Sequence, residues 1–223
     1  MKSEKSANKK IAGPTKKIPH GHATQTFPHM SAAKKWASVF GKTTIDAKSA
    51  DYKLIIAVGE CLIEEGYGIV HGGYSGGAMA AVSEGANTAI RYLGLSQKLN
   101  VGVPHVLFDK EVARVRNASF TKTAKDIYGR LQIVASGNIA VVCPRGGIGT
   151  QLELTMVLHE NATKRSFGQP VQPLIFVQTN TGENWKQLFA HMSKTLRVST
   201  EDVYFVRTIS QFQKILQNLK IVS

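Results

Sequence analysis

From Trp36 onward, short apolar runs alternate with longer stretches in which apolar residues recur at helical spacing. The runs WASVF (36–40), GIVHG (68–72), VGVPHV (101–106), IAVVC (139–143), PLIFVQ (173–178) and VYFV (203–206) are bounded by turn residues, which predicts strands. Between them, helices are predicted over about 47–66, 76–94, 120–136, 150–163, 184–196 and 209–219. Strands joined by crossovers of that length pair in parallel. The expected fold is therefore α/β, a doubly wound and mainly parallel sheet with helices on both faces. Its ligands are expected at the carboxyl ends of the strands. No repeat of solenoid or propeller period is visible.

The first 32 residues break this pattern. They mix lysine, proline, serine, threonine and histidine without apolar periodicity, which predicts a disordered basic N-terminal arm ahead of one domain over 33–223. Of the formal charge of +13, residues 1–35 carry +7, from eight lysines against Glu4. The arm could contact nucleic acid or another acidic surface, or could simply be a solvated tail. It has no arginine, which argues against a mitochondrial presequence. His20, His22 and His29 are a weak candidate for metal binding.

Cys61 and Cys143 show no CxxC spacing, so neither a disulfide framework nor a zinc site is indicated. No apolar run approaches the roughly 20 residues of a membrane span. A secretory signal core is also missing. A cytoplasmic protein is expected, with nuclear or organellar targeting by the arm left open.

Three strand-to-helix loops are marked by glycine: FGKTT (40–44), HGGYSGGAM (71–79) and CPRGGIGT (143–150). In a parallel sheet they share one edge, where exposed N–H groups can converge on a phosphate. None has the spacing of a dinucleotide fingerprint or a P-loop. Glycine-rich turns of this kind can also be no more than tight connections. Thr150-Gln151-Leu152-Glu153 fits a capping box, in which Thr150 caps a helix and Glu153 reaches back to it. A cap does not explain the glycines at 146, 147 and 149. Cys143, without a histidine placed beside it by any motif, is expected to be a buried thiol.

Taken together, HGGYSGGAMAAVSEGA (71–86) and PRGGIGTQLEL (144–154) resemble the two motifs of the LOG ("lonely guy") family, whose members were once called lysine decarboxylases. The second motif, GGxGTxxE, falls on Gly146, Gly147, Gly149, Thr150 and Glu153, and the resemblance covers roughly Ala33 to Leu219. It implies a Rossmann-like, LOG-like nucleotide-binding domain, dimeric or larger, with no metal or organic cofactor. The activity implied is hydrolysis of the N-glycosidic bond of a nucleoside 5′-monophosphate, giving free base and ribose 5-phosphate.

The resemblance assigns catalysis to Glu153 and to Arg130, which lies 23 residues earlier. Nucleotide and phosphate binding would fall to Gly41, Gly72, Gly73, Gly76, Met79, Arg145, Gly146, Gly147, Gly149 and Thr150. Met79 could equally be core. The chemistry suits the loop: a departing base leaves positive charge on the ribosyl centre, which a carboxylate stabilises, while a helix N-terminus holds the 5′-phosphate.

This chain departs from the family pattern at several positions. Arg145 is inserted between Pro144 and the glycines, Leu131 follows Arg130 where a basic residue is usual, and His71 and His159 replace a tyrosine and a threonine. Asn138, where relatives often carry aspartate, is expected to be a hydrogen-bonding residue at a strand start. Two rival functions stay open. One is a non-catalytic nucleotide sensor of the same fold, and the other is a structural or RNA-associated role for the lysine arm.

Overall fold

The computed structural model describes residues 32–144, 146–179 and 185–221. The strands are β1 (Lys35–Phe40), β2 (Tyr67–His71), β3 (Asn100–Gly102), β4 (Ser119–Phe120), β5 (Ile139–Val142), β6 (Leu174–Val177) and β7 (Val203–Val206). The helices are α1 (Ala50–Glu64), α2 (Gly77–Tyr92), α3 (Ile127–Val134), α4 (Ile148–Ser166), α5 (Trp185–Leu196) and α6 (Ile209–Ile221). Every strand pair is parallel, and the order across the sheet is β4-β3-β2-β1-β5-β6-β7. The winding reverses between β1 and β5. A doubly wound sheet opens a crevice at that reversal, outside the carboxyl ends of the two strands.

The central strands are buried on both faces, as parallel strands covered by helices must be. Ala37, Val39, Ile139 and Val141 pack into one core with Ile55, Val58 and Leu62 of α1, Val82 of α2 and Phe212 of α6. The alternate residues Trp36, Phe40, Ala140 and Val142 face a second core with Val134 of α3, Leu154 of α4 and Trp185 and Phe189 of α5. Fully burying each large side chain contributes about 1.5–3 kcal/mol. Helices α1 and α2 meet backbone to backbone: a Cβ on Gly59 would overlap Val82 O, and one on Gly85 would overlap Ile56 O. Asn138 closes the entry to β5, accepting the Trp36 N–H at 2.8 Å.

Several boundaries differ from the pattern-based expectation for local reasons. Ser49 caps α1, accepting from Tyr52 N at 3.2 Å, so the helix starts at 50 and not 47. The predicted helix 120–136 is only α3, because Asp126 caps it by accepting from Gly129 N at 2.8 Å. The residues before that cap run extended: Ser119 and Phe120 form β4, and Thr121 N donates to Gly102 O at 3.1 Å. Strand β3 ends at Gly102 and not at 106. Residues 1–31 of the basic arm and its three histidines lie outside the described residues.

Candidate functional site at the carboxyl edge of the sheet

The first two glycine loops lock onto each other. Ala78 N donates to Lys42 O at 2.9 Å, and a Cβ on Gly76 would stand 2.5 Å from Thr43 O. A Cβ on Gly41 would overlap Ala78 and come within 3.0 Å of the Cys143 side chain. What Gly41 and Gly76 make room for is therefore neighbouring protein. Gly73 has φ +85°, the left-handed region that glycine alone enters freely, and lies against the Gly102 backbone. Gly72 is different: a Cβ there would stand 2.5 Å from Arg130 Nη2 and 2.5 Å from Met79 Sδ. Met79 is buried and packs over Gly72 beside the guanidinium.

Helix α4 begins one turn earlier than the capping-box pattern predicts. Gly147 is its N-cap, in extended backbone and with no side chain to cap the helix. Thr150 is thus the third helical residue, buried within the helix, and Glu153 does not reach back to cap it. The first-turn N–H groups of such a helix have no intrahelical partner and attract anions. Among the described residues, nothing lies within 4 Å of a Cβ on Gly147 or Gly149, so both face open space there. Gly146 does not: its Cβ would run into the Trp185 ring, whose Nε1 donates to Cys143 O at 3.2 Å. Arg145 lies outside the described residues.

Arg130 and Glu153 meet behind this helix start. Glu153 lies one and a half turns into α4, and Arg130 Nη1 is 3.6 Å from Glu153 Oε1 with both side chains only 11 % exposed. The guanidinium is held from two further sides, donating from Nε to Val103 O at 3.1 Å and from Nη2 to Gly72 O at 3.5 Å. It thus spans the ends of β2 and β3 and the wall of α4. Burial pushes the Glu153 carboxyl up to about 7, although the adjacent guanidinium pulls the other way. Desolvation wins because 3.6 Å exceeds a good charge-assisted hydrogen bond. A carboxyl titrating near neutrality is suited to take or give a proton in a reaction.

Below the second glycine loop lies a polar cluster that sequence reasoning missed. His71 Nδ1 accepts the Gly73 N–H at 3.1 Å, which places the proton on Nε2, and Nε2 donates to Asn100 Oδ1 at 2.9 Å. Asn100 Nδ2 donates in turn to Ser83 Oγ at 2.7 Å and Asn87 Oδ1 at 3.0 Å. Complete burial lowers His71 to about 4, its bond to Asn100 opposes that shift, and the charge on Arg130 reinforces it. A neutral His71 therefore pins the left-handed turn at Gly73. The only signal for it in the sequence is a histidine where the resemblance expects a tyrosine.

An open cleft of about 550 Å³ lies beside the interlocked loops, lined by Thr43, Thr44, Asp46, Tyr52, Ser75 and Gly77 among others. Cys143 is fully buried and its thiol is pushed up to about 12, so it carries no nucleophilic thiolate. Among the described residues, no three His, Cys, Asp or Glu side chains cluster as metal ligands, and no helix is long and apolar enough to cross a membrane.

No protein-family model and no curated protein matches the sequence. Solved structures do match by fold. The molybdenum cofactor binding protein from Rippkaea orientalis aligns with a TM-score of 0.62 at 19% identity, over 85% of this chain and 99% of its own. The molybdenum cofactor carrier protein from Chlamydomonas reinhardtii gives 0.57 at 19% identity, over 84% of this chain and 99% of its own. The structural-genomics target TM1055 gives 0.57 at 20% identity, over 82% and 99%. At these identities the chain shares their Rossmann-like α/β fold across nearly the whole of each neighbour.

Proposed function

We propose that the protein binds a nucleoside 5′-monophosphate at the carboxyl edge of the sheet and hydrolyses its N-glycosidic bond. The observation that carries this reading is the buried Glu153 carboxyl, raised to about 7 and paired with Arg130 behind an uncapped helix N-terminus. The 5′-phosphate would sit on the N–H groups of Gly147 to Thr150, where Gly147 and Gly149 leave open space. The ribose would then lie over Glu153. The ionised carboxylate accepts a proton from a water whose oxygen bonds to C1′, while the C1′–N bond breaks and its electrons leave with the base. Arg130, anchored to Val103 O and Gly72 O, keeps the carboxylate oriented and balances its charge.

A second reading is favoured by the two fold neighbours that bind or carry the molybdenum cofactor. In it the same edge holds a cofactor without turnover. One assay separates the two. Purified protein is incubated with a panel of nucleoside 5′-monophosphates and free base is measured. Release of base that stops in Glu153→Ala supports the hydrolase; no release from any member, with retention of molybdenum cofactor instead, favours the carrier.

A further inference from the structure

We propose that His105 is a specificity residue that donates its Nε2–H to the base of the bound nucleotide; the proposal rests on the nucleoside monophosphate reading above. His105 is 3% exposed. Its Nδ1 accepts the Leu107 N–H at 3.2 Å, so the ring proton is on Nε2, and that buried atom has no hydrogen-bond partner among the described residues. Buried donors in native proteins are almost always paired, and an exception calls for a missing partner.

Neighbouring residues hold His105 in place. Tyr74, in the second glycine loop, clamps the His105 backbone: its hydroxyl accepts the His105 N–H at 2.7 Å and donates to His105 O at 3.1 Å. Phe108 then packs on the imidazole, with ring centroids 5.4 Å apart, and meets Tyr74 edge-on at 6.1 Å. Phe108 is itself 43% exposed, an apolar surface beside the orphan donor.

Position along the sheet edge gives the direction of the missing partner. The chain stays extended past β3: Ala124 N donates to Pro104 O at 2.9 Å and Val106 N to Ala124 O at 3.0 Å. His105 therefore keeps the strand parity of Val101 and Val103, which pack in the core shared with α3 and α4. Two residues before it, Val103 O holds Arg130 Nε. In spatial order the edge presents the start of α4 after β5, then the Arg130–Glu153 pair, then His105 after β3. A nucleotide with its phosphate on α4 and C1′ at Glu153 directs its base toward β3, where a ring nitrogen or keto oxygen can accept from Nε2. The other unpaired buried atoms among the described residues do not fit that line: Gln172 precedes β6 at the amino edge, and Gln178 follows β6, beyond β5 from Arg130.

Titration calorimetry of the wild type, His105→Leu and His105→Gln with AMP, IMP and ribose 5-phosphate tests the assignment. His105→Leu is expected to weaken a nucleoside monophosphate about tenfold and leave ribose 5-phosphate unchanged, while His105→Gln, which keeps an N–H, restores most of the affinity. An equal loss for ribose 5-phosphate, or no loss at all, overturns the proposal. Should the variants not fold, ¹⁵N-histidine spectra of the wild type decide: the nucleotide moves the His105 Nε2 resonance and ribose 5-phosphate does not, whereas an Nε2 signal indifferent to nucleotide overturns it. Wild-type protein that binds the nucleotide with His105 uninvolved sinks this proposal alone. Wild-type protein that binds neither compound sinks the underlying reading with it.

Discussion

Gly72 and Arg130 compete for one volume: a single methyl on the glycine would stand 2.5 Å from the guanidinium Nη2. The missing side chain is what lets Arg130 cross the end of β2 to reach Glu153. The atoms in the way, Arg130 Nη2 and Met79 Sδ, are the far ends of flexible side chains, and Gly72 does not have a positive φ. Gly72→Ala is therefore expected to fold with a stability loss of about 1 kcal/mol or less while displacing the guanidinium. Base release should fall on the order of 100-fold, since misplacement by about 1 Å costs that much. Equal losses in melting temperature and activity would instead make Gly72 a packing residue.

Gly146 and Gly149, before and within the start of α4, look alike in sequence and are expected to behave differently. Gly146→Ala drives a methyl into the buried Trp185 ring and should cost about 1–3 kcal/mol by overpacking. Gly149→Ala meets nothing within 4 Å among the described residues and places a better helix former in the first turn. Its stability should hold or rise by up to about 1 kcal/mol. If a phosphate lies on this helix start, the same methyl should still weaken nucleoside monophosphate binding about tenfold. Chemical denaturation and calorimetry on the two variants check both halves, and an unchanged affinity in Gly149→Ala removes the phosphate from that position.

What can be read from the sequence follows from what is local. The strands IAVVC and VYFV and helices such as 184–196 carry their period within one segment, and they form close to where it places them. The two-residue β4 has no period to display, and its pairing is made by Val101 and Gly102 some 18 residues away. Thr150 looks like a helix cap because the T-x-x-E pattern is local, but the helix starts at Ile148 and its N-cap is Gly147. Arg130 and Glu153 stand out by resemblance and not by any local signal. That Gly72 makes room for the guanidinium, and that His71 pins Gly73, are contacts that depend on the folded chain, which no one-dimensional pattern encodes.

The reaction proposed for Glu153 needs its ionised form, and the carboxyl titrates at about 7. At fixed saturating substrate the rate should therefore rise tenfold per pH unit below 7 and level off above it. Glu153→Ala should lose about 10²–10⁴ of the rate and the pH limb together. A limb centred near 4.5, the ordinary carboxyl value, would mean that ligand entry solvates the carboxylate; a rate that falls through 7 would make Glu153 an acid.

Glu153 and His71 also set opposite pH dependences of stability. Glu153 is raised from 4.5 to about 7, so the folded protein holds a proton that the unfolded chain has lost, and this stabilisation, complete below 4.5, disappears as pH rises to 7. His71 is lowered from 6.5 to about 4, so the folded protein lacks a proton that the unfolded chain holds, and stability is lost as pH falls from 6.5 to 4. Between 4.5 and 6.5 the two proton differences cancel. Glu153→Gln removes one of them. The stability of the variant relative to wild type should then climb by about 1.4 kcal/mol for each pH unit between 4.5 and 7 and be constant outside that window. Urea denaturation of both proteins at half-unit steps measures the difference directly, independent of every carboxylate they share. A flat difference across the window would place the Glu153 carboxyl at its ordinary value, and with it would go the argument that burial outweighs Arg130.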